Sequence, residues 1–261
     1  MLRQLSFDTS KSDVHIALIN DQSVISEYVA VVVDATSGAS RQEAANLLIP
    51  EIDRMMKDVG WKKSDIDCIL VGTGPGGFTG IRTSVVTARA LAQALHLPLY
   101  PVSLLECIAS ALPGSFAIAL YATAGHYFLA RGTATGVEAA YVKQQDVAEF
   151  TRGFASVYAD ARALAEFSSP LPVMFASQVE IRELPVIANV AAQQSRFAWP
   201  GLSLKVSDIY EKLRGLDPVN GTPSESLQQD LRSELRQQFP YDSVVPTYLR
   251  APSVTLKKTN V

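Results

Sequence analysis

Val71-Gly72-Thr73-Gly74-Pro75-Gly76-Gly77-Phe78-Thr79-Gly80-Ile81-Arg82 places five glycines in twelve residues, between an apolar run from Ile66 to Val71 and a helical pattern from Ile81 to His96. Strand, glycine-rich turn and helix, in that order, form the arrangement on which phosphate sites are built. Glycine lets a ligand reach the backbone, and the first N–H groups of the helix are unpaired and carry partial positive charge. The spacing Gly72-x-Gly74-x-x-Gly77 matches the dinucleotide fingerprint, which also calls for an acidic residue about 20 positions on to hold the ribose. No Asp or Glu lies between Asp67 and Glu106. The phosphate loop of nucleotide hydrolases fails elsewhere: Gly72 and Gly77 have its separation, but Phe78-Thr79 stand where Lys and Ser or Thr must be. Two nucleotide motifs are imitated and neither is completed. Pattern alone leaves two readings open, an anion cradle or a tight turn whose glycines allow close packing of helix and strand.

Upstream, Leu2 to Phe7, Val14 to Ile19 and Val24 to Val33 are apolar or alternating runs separated by turn residues, which predicts an antiparallel meander. A helix follows, opened by Ser40-x-x-Glu43 and closed near Gly60, with Pro50 inside it. Its apolar stripe runs through Ala44, Leu48, Ile52, Met55 and Val59, with Ala45, Ile49 and Met56 beside it. Downstream come the helix over about 80–96, a strand from Leu97 to Val102 and a helix capped by Ser103-x-x-Glu106. Pro113-Gly114 marks a boundary between units of 1–112 and 113–261. In the second, Phe116 to Tyr121, Tyr127 to Arg131 and Val137 to Val142 predict another meander, and Leu171 to Phe175 a further strand. Helices are predicted over Phe154 to Phe167, Leu204 to Leu213 and Pro223 to Gln238, the last capped by Thr222. The repeated order suggests two related α/β halves.

The length of 261 residues allows one large core or two modest ones. With 48% hydrophobic and 19% charged residues the chain reads as globular, and a net charge of −3 argues against a dedicated nucleic-acid face. Cys68 and Cys107 lack CxxC spacing and read as reduced core residues of a cytoplasmic protein. His15, His96 and His126 are scattered, so no metal site is expected. No signal peptide is visible and no apolar run approaches about 20 residues, so no membrane contact is expected.

Within the helix over 80–96, Gly80, Ser84, Ala88 and Ala92 recur every four residues as a ridge of small side chains. Such a ridge admits close approach of another helix, from the same chain or from a partner. Phe78 is expected to anchor the turn in the core. Arg82 is expected to be an interfacial or cleft-facing charge.

Leu5-Ser6-Phe7-Asp8-Thr9-Ser10, the block Gly74 to Arg82, Pro98-Leu99-Tyr100-Pro101-Val102-Ser103-Leu104-Leu105-Glu106 and Pro246-Thr247-Tyr248-Leu249-Arg250 together resemble the TsaB (YeaZ-type) family of bacterial tRNA threonylcarbamoyladenosine (t6A) biosynthesis. The resemblance covers residues 2–112 and a tail near 245–252. It implies the α/β fold of the actin, sugar-kinase and Hsp70 (ASKHA) type, with two related domains each on a mixed sheet flanked by helices. In that superfamily an Asp-Thr hairpin and a glycine turn hold ATP phosphates and a metal. TsaB-type members are understood to have lost that use and to pair with TsaD, the catalytic homologue. The resemblance therefore implies a non-catalytic scaffold subunit, without cofactor of its own, for threonylcarbamoylation of N6 of the adenosine next to the anticodon. Metal and substrate adenylate would sit in TsaD and ATP in a TsaE-like ATPase, with tRNA met only through the complex. The pairing surface implied is made by the helices over 41–59 and 80–96, here Leu48, Ile52, Met55, Met56, Gly80, Arg82, Ser84, Ala88 and Ala92. Asp8, Thr9, Gly72, Gly74, Gly76, Gly77 and Thr79 would be a residual phosphate turn.

The chain departs from the family where Tyr121-Ala122-Thr123-Ala124-Gly125-His126 replaces an Asp-Ala-Arg-x-Gly-Glu-like stretch, and where Ala44-Ala45 replaces a His-Ser pair. Two rival functions remain: a small-substrate kinase or ATPase of the same fold, and a homodimeric binding module using the same helices on themselves.

Overall fold

The structure is a computed structural model and describes residues 2–11, 13–31, 42–123, 125–133, 136–167, 180–184, 190–213 and 225–249. The chain divides into two compact units, Met1–Pro113 with Pro185–Thr247, and Gly114–Leu184 with Tyr248–Val261.

The first unit opens with the predicted meander, β1 Arg3–Asp8, β2 Asp13–Asn20 and β3 Ser23–Val31. It continues through α1 Gln42–Asp58, β4 Cys68–Gly72, α2 Phe78–Leu95, β5 Leu99–Val102 and α3 Leu104–Ala109. The sheet order is β3-β2-β1-β4-β5, antiparallel through the meander and parallel from β1 onward. Alternation along the strands gives the sheet two buried faces. Leu5, Phe7, Ile16, Leu18, Ile69 and Val71 meet the stripe of α1 and the inner face of α2. On exposed α1 positions, Arg54 pairs with Glu51 and Asp58, and Lys57 with Asp53, while Gly60 ends the helix at φ +71. The capping box predicted at Ser103 is present on its hydroxyl side, Ser103 Oγ accepting from Glu106 N at 3.4 Å; Ser40 lies outside the described residues.

The second unit repeats the plan: β6 Phe116–Thr123, β7 His126–Thr133, β8 Gly136–Lys143, the single-turn α4 Val147–Phe150, β9 Ser156–Ala159, α5 Ala161–Phe167 and β10 Glu180–Glu183. Its sheet order, β10-β9-β6-β7-β8, carries the same antiparallel and parallel pairings. Two mixed sheets of one topology are the ASKHA-type fold expected from the sequence. Tyr127, Leu129, Val157 and Phe167 lie at its core. The helix predicted over Phe154 to Phe167 divides into β9 and α5. Val157 and Ala159 are fully buried in a parallel ladder with β6, and Asp160 then caps α5 by accepting from Ala163 N at 2.9 Å.

The largest correction concerns α6 Val190–Leu213 and α7 Glu225–Gln238. A second domain over 113–261 was expected to hold them, yet residues 185–247 belong to the first unit. The first half of α6 covers the second face of the first sheet. Ala191 and Ala192 pack on Ala17 and Ile19, while Ala198 and Leu202 pack on Cys68, Leu70 and Cys107. α7 packs on the second half of α6 through Leu231 and Leu235 against Ile209. Arg232 ties α7 to the sheet, donating to Asp67 Oδ1 from Nη2 at 2.9 Å and to the Ser64 carbonyl at 2.8 Å. The strand expected at Leu171 to Phe175, and Thr222 and Pro223, fall outside the described residues.

Candidate functional site: the glycine turn and its carboxylate

Asp8 ends β1, and the glycine turn leads from β4 beside it into α2. The turn is closed by the protein itself. Gly77 N donates to the Ser10 carbonyl at 2.7 Å, the Thr9 hydroxyl donates to the Gly80 carbonyl at 2.7 Å, and Thr9 N donates to Ser84 Oγ at 2.8 Å. The glycines follow from this closeness. A Cβ at Gly80 would stand 1.8 Å from the Thr9 carbonyl oxygen, one at Gly76 2.1 Å from that of Ser10, and one at Gly72 1.6 Å from Asp8 Oδ2. Gly74 has φ +99, a conformation that L side chains rarely adopt. Of the two readings left open by the pattern, close packing is the one these contacts support. Among the described residues no three of His, Cys, Asp or Glu gather as a metal-holding group.

Asp8 is 1% exposed, and its carboxylate lies between Gly72 at the start of the turn and Gln194. Its Oδ1 accepts from Ser10 N at 2.6 Å and its Oδ2 from Gln194 Nε2 at 2.5 Å. Gln194 belongs to α6, is fully buried, and its Oε1 accepts from Ser6 Oγ at 3.5 Å. One turn earlier, Val190 N donates to Nδ1 of the buried His15, the register partner of Asp8. A polar row on the sheet, Ser6, Asp8 and His15, is thus answered by the first turns of α6. Within the turn, Ser10 Oγ is buried with no partner among the described residues. Burial, with the Asp8 charge adding to it, pushes the Cys107 thiol up to about 12.

Gln194 is the functional residue that sequence reasoning missed. Glutamine in a helix carries no motif; the signal available was Ala191-Ala192 just upstream of Gln193-Gln194, small residues where a helix lies close to a sheet.

The expected helix interface is overturned in its detail. Leu48, Met55, Ser84, Ala88 and Ala92 are 0–1% exposed, and Ile52 and Met56 are 6% and 5%, all within the first unit. Apolar stripe and small ridge face inward, because burying them stabilises this unit more than leaving them to water. Gly80 and Ser84 receive the Thr9 backbone, not another helix. The outward positions differ: Ile49 is 45% exposed and Val86 64%. Arg82 is exposed too, its guanidinium 4.2 Å from the ring centroid of the half-buried Phe78, so Phe78 is not the core anchor expected. Thr79 is exposed, its carbonyl accepting from Thr83 Oγ1.

Comparison with known proteins places this geometry among relatives. Residues 36–258 match the family model described as TsaD, tRNA N6-adenosine threonylcarbamoyltransferase. The tRNA threonylcarbamoyladenosine biosynthesis protein TsaB of Bacillus subtilis is 31% identical over 106 residues, 41% of this chain and 43% of that protein. TsaB of Escherichia coli is 30% identical over 108 residues, 41% of this chain and 43% of that protein. The chain therefore spans less than half the length of these curated relatives. In fold, the crystal structure of an uncharacterized Pseudomonas aeruginosa protein with similarity to YeaZ superposes with a TM-score of 0.63 at 20% identity, covering 96% of this chain and 100% of that one.

Proposed function

Because the chain belongs to the tRNA N6-adenosine threonylcarbamoyltransferase (TsaD) family, as a TsaB-type member, we propose that it serves t6A biosynthesis as a non-catalytic scaffold that pairs with a TsaD-type subunit. The observation that carries the reading is the state of the glycine turn. The carboxylate and backbone that a transferase or kinase of this fold would turn toward a ligand are engaged with Gln194, Ser10, Gly77 and Gly80. Catalytic metal and adenylate then belong to the partner, ATP to a TsaE-like subunit, and tRNA is met through the assembly. The pairing face is the outward side of α1 and α2, where Ile49 and Val86 offer exposed apolar bulk and Arg82 a charge. Exposed branched residues on adjacent helices fit a protein partner.

Co-expression with the TsaD-type protein of the same genome, followed by size-exclusion chromatography, tests this. Wild type is expected to co-elute and Val86→Arg to elute alone while still folded. Ala88→Arg does not test the interface, since a charge at a fully buried position unfolds the unit. A chain that forms no complex yet binds ATP would be an enzyme of this fold, and one that pairs only with itself through the same face would be a homodimeric module.

A further inference from the structure

We infer that Gln194 is an internal ligand of Asp8, its amide occupying the carboxylate where a cation would otherwise sit, and that this bond pins the first half of α6 to the first sheet. The fold type implies a metal and phosphates beside an acid at the end of β1. The residues present do not fit them: Asp8 is 1% exposed, both its oxygens are committed, and its side chain lies against Gly72 and α6.

The chemistry of the pair is specific. A fully buried carboxylate needs hydrogen-bond donors to stay ionised. Here it has a backbone N–H on one oxygen and a side-chain N–H on the other. Gln194 is in turn oriented by Ser6, whose hydroxyl donates to Oε1 and so leaves Nε2 for Asp8. Gly72 completes the arrangement, because any side chain there would enter the space of the carboxylate. Gln194 is a positioning residue: it fixes the carboxylate and, through it, the helix that bears it. The inference stands apart from the pairing proposed above and can fail while that pairing holds.

A charge-exchange cycle on the full chain tests it, read by urea unfolding and by calorimetric titration with Mg2+ alone. Gln194→Leu keeps the volume and removes the donor; it is expected to raise the unfolding equilibrium constant about 10- to 100-fold, the range for hydrogen bonds to charged groups. Gln194→Glu sets two carboxylates against each other in a buried site and is expected to lose more. Asp8→Asn alone is expected to be mild, since Gln194 can turn its amide and accept from the new side chain. Asp8→Asn with Gln194→Glu together restores a neutral donor opposite a carboxylate and is expected to recover most of the loss. A folded Gln194→Glu protein with the wild-type midpoint, or a double variant no better than Gln194→Glu, would overturn the inference. So would Mg2+ binding by wild type that Asp8→Asn abolishes, because Asp8 would then be serving a cation and not α6.

Discussion

The two sheets share one topology, and the surroundings of the ends of their first strands are built by opposite means. After β1 the carboxylate is fully buried, and the β4-to-α2 turn beside it comes so close that three of its glycines stand where no Cβ fits. At the end of β6 the corresponding region is aromatic, built around the half-exposed Tyr121 and the buried Tyr127. Arg162 lies 3.9 Å from the Tyr121 ring centroid, Tyr121 N donates to Asp160 Oδ2 at 3.1 Å, and the Tyr127 hydroxyl donates to Glu166 Oε2 at 2.5 Å. The same strand order therefore tolerates either a strand end locked by the absence of side chains or one dressed by large ones. Only the first dictates residue types that can be read from a sequence.

The comparison breaks first at its glycines. Gly80→Ala forces a Cβ onto the Thr9 backbone and should cost about 3 kcal/mol, the upper range of overpacking, whereas Gly132 in β7 has open space around it and its alanine variant should stay within about 0.5 kcal/mol of wild type. Urea midpoints of the two variants decide it, and equal midpoints would mean that the turn is not closed as described. Next in size is Arg232→Ala, which strips Asp67 of its side-chain partner and should cost about 2 kcal/mol by the same measurement. An unchanged midpoint would detach α7 from the account of the first unit. Tyr127→Phe in the second unit removes one hydrogen bond from a half-exposed acid and should cost only about 1 kcal/mol; a loss as large as that of Gly80→Ala would erase the contrast.

The smallest effect concerns pH. Burial raises both thiols, Cys107 up to about 12 and Cys68 further, so the folded chain holds these protons more tightly than the unfolded one. The stability they supply is full below the ordinary thiol range near about 8.5 and falls as pH rises above it. Thermal melts between pH 8 and 10 should therefore decline less steeply in the Cys68→Ala, Cys107→Ala double variant than in wild type, and parallel slopes would refute the assignment.

Legibility followed the same division. The meander, the glycine turn and its helix, the Ser103 cap and the Pro113-Gly114 boundary all rest on local signals, namely strand alternation, φ-tolerant residues and a capping hydroxyl, and the structure has them where the sequence put them. What the sequence concealed was long range. Leu48, Met55 and Ala88 announce an apolar face, but no periodicity says whether that face meets its own sheet or another chain. Ser6 and Asp8 alternate with Leu5 and Phe7 as they would in a strand with one wet face; α6 covers them from far along the chain and makes them interior. β9 was hidden because four residues between helical patterns carry too little period to separate strand from helix.

That the first unit is assembled from two stretches of chain also sets an order in time. Asp8 and Gln194 are separated by 186 positions. At synthesis rates of about 5–20 residues per second, β1 leaves the ribosome about 10–40 s before the glutamine that will hold it. The β6 to β10 sheet has every strand by Glu183 and can close while the earlier sheet still lacks the helix over its second face. The segment synthesised first thus finishes last, with Gln4, Ser6 and Asp8 open to chaperones and to mispairing in the interval.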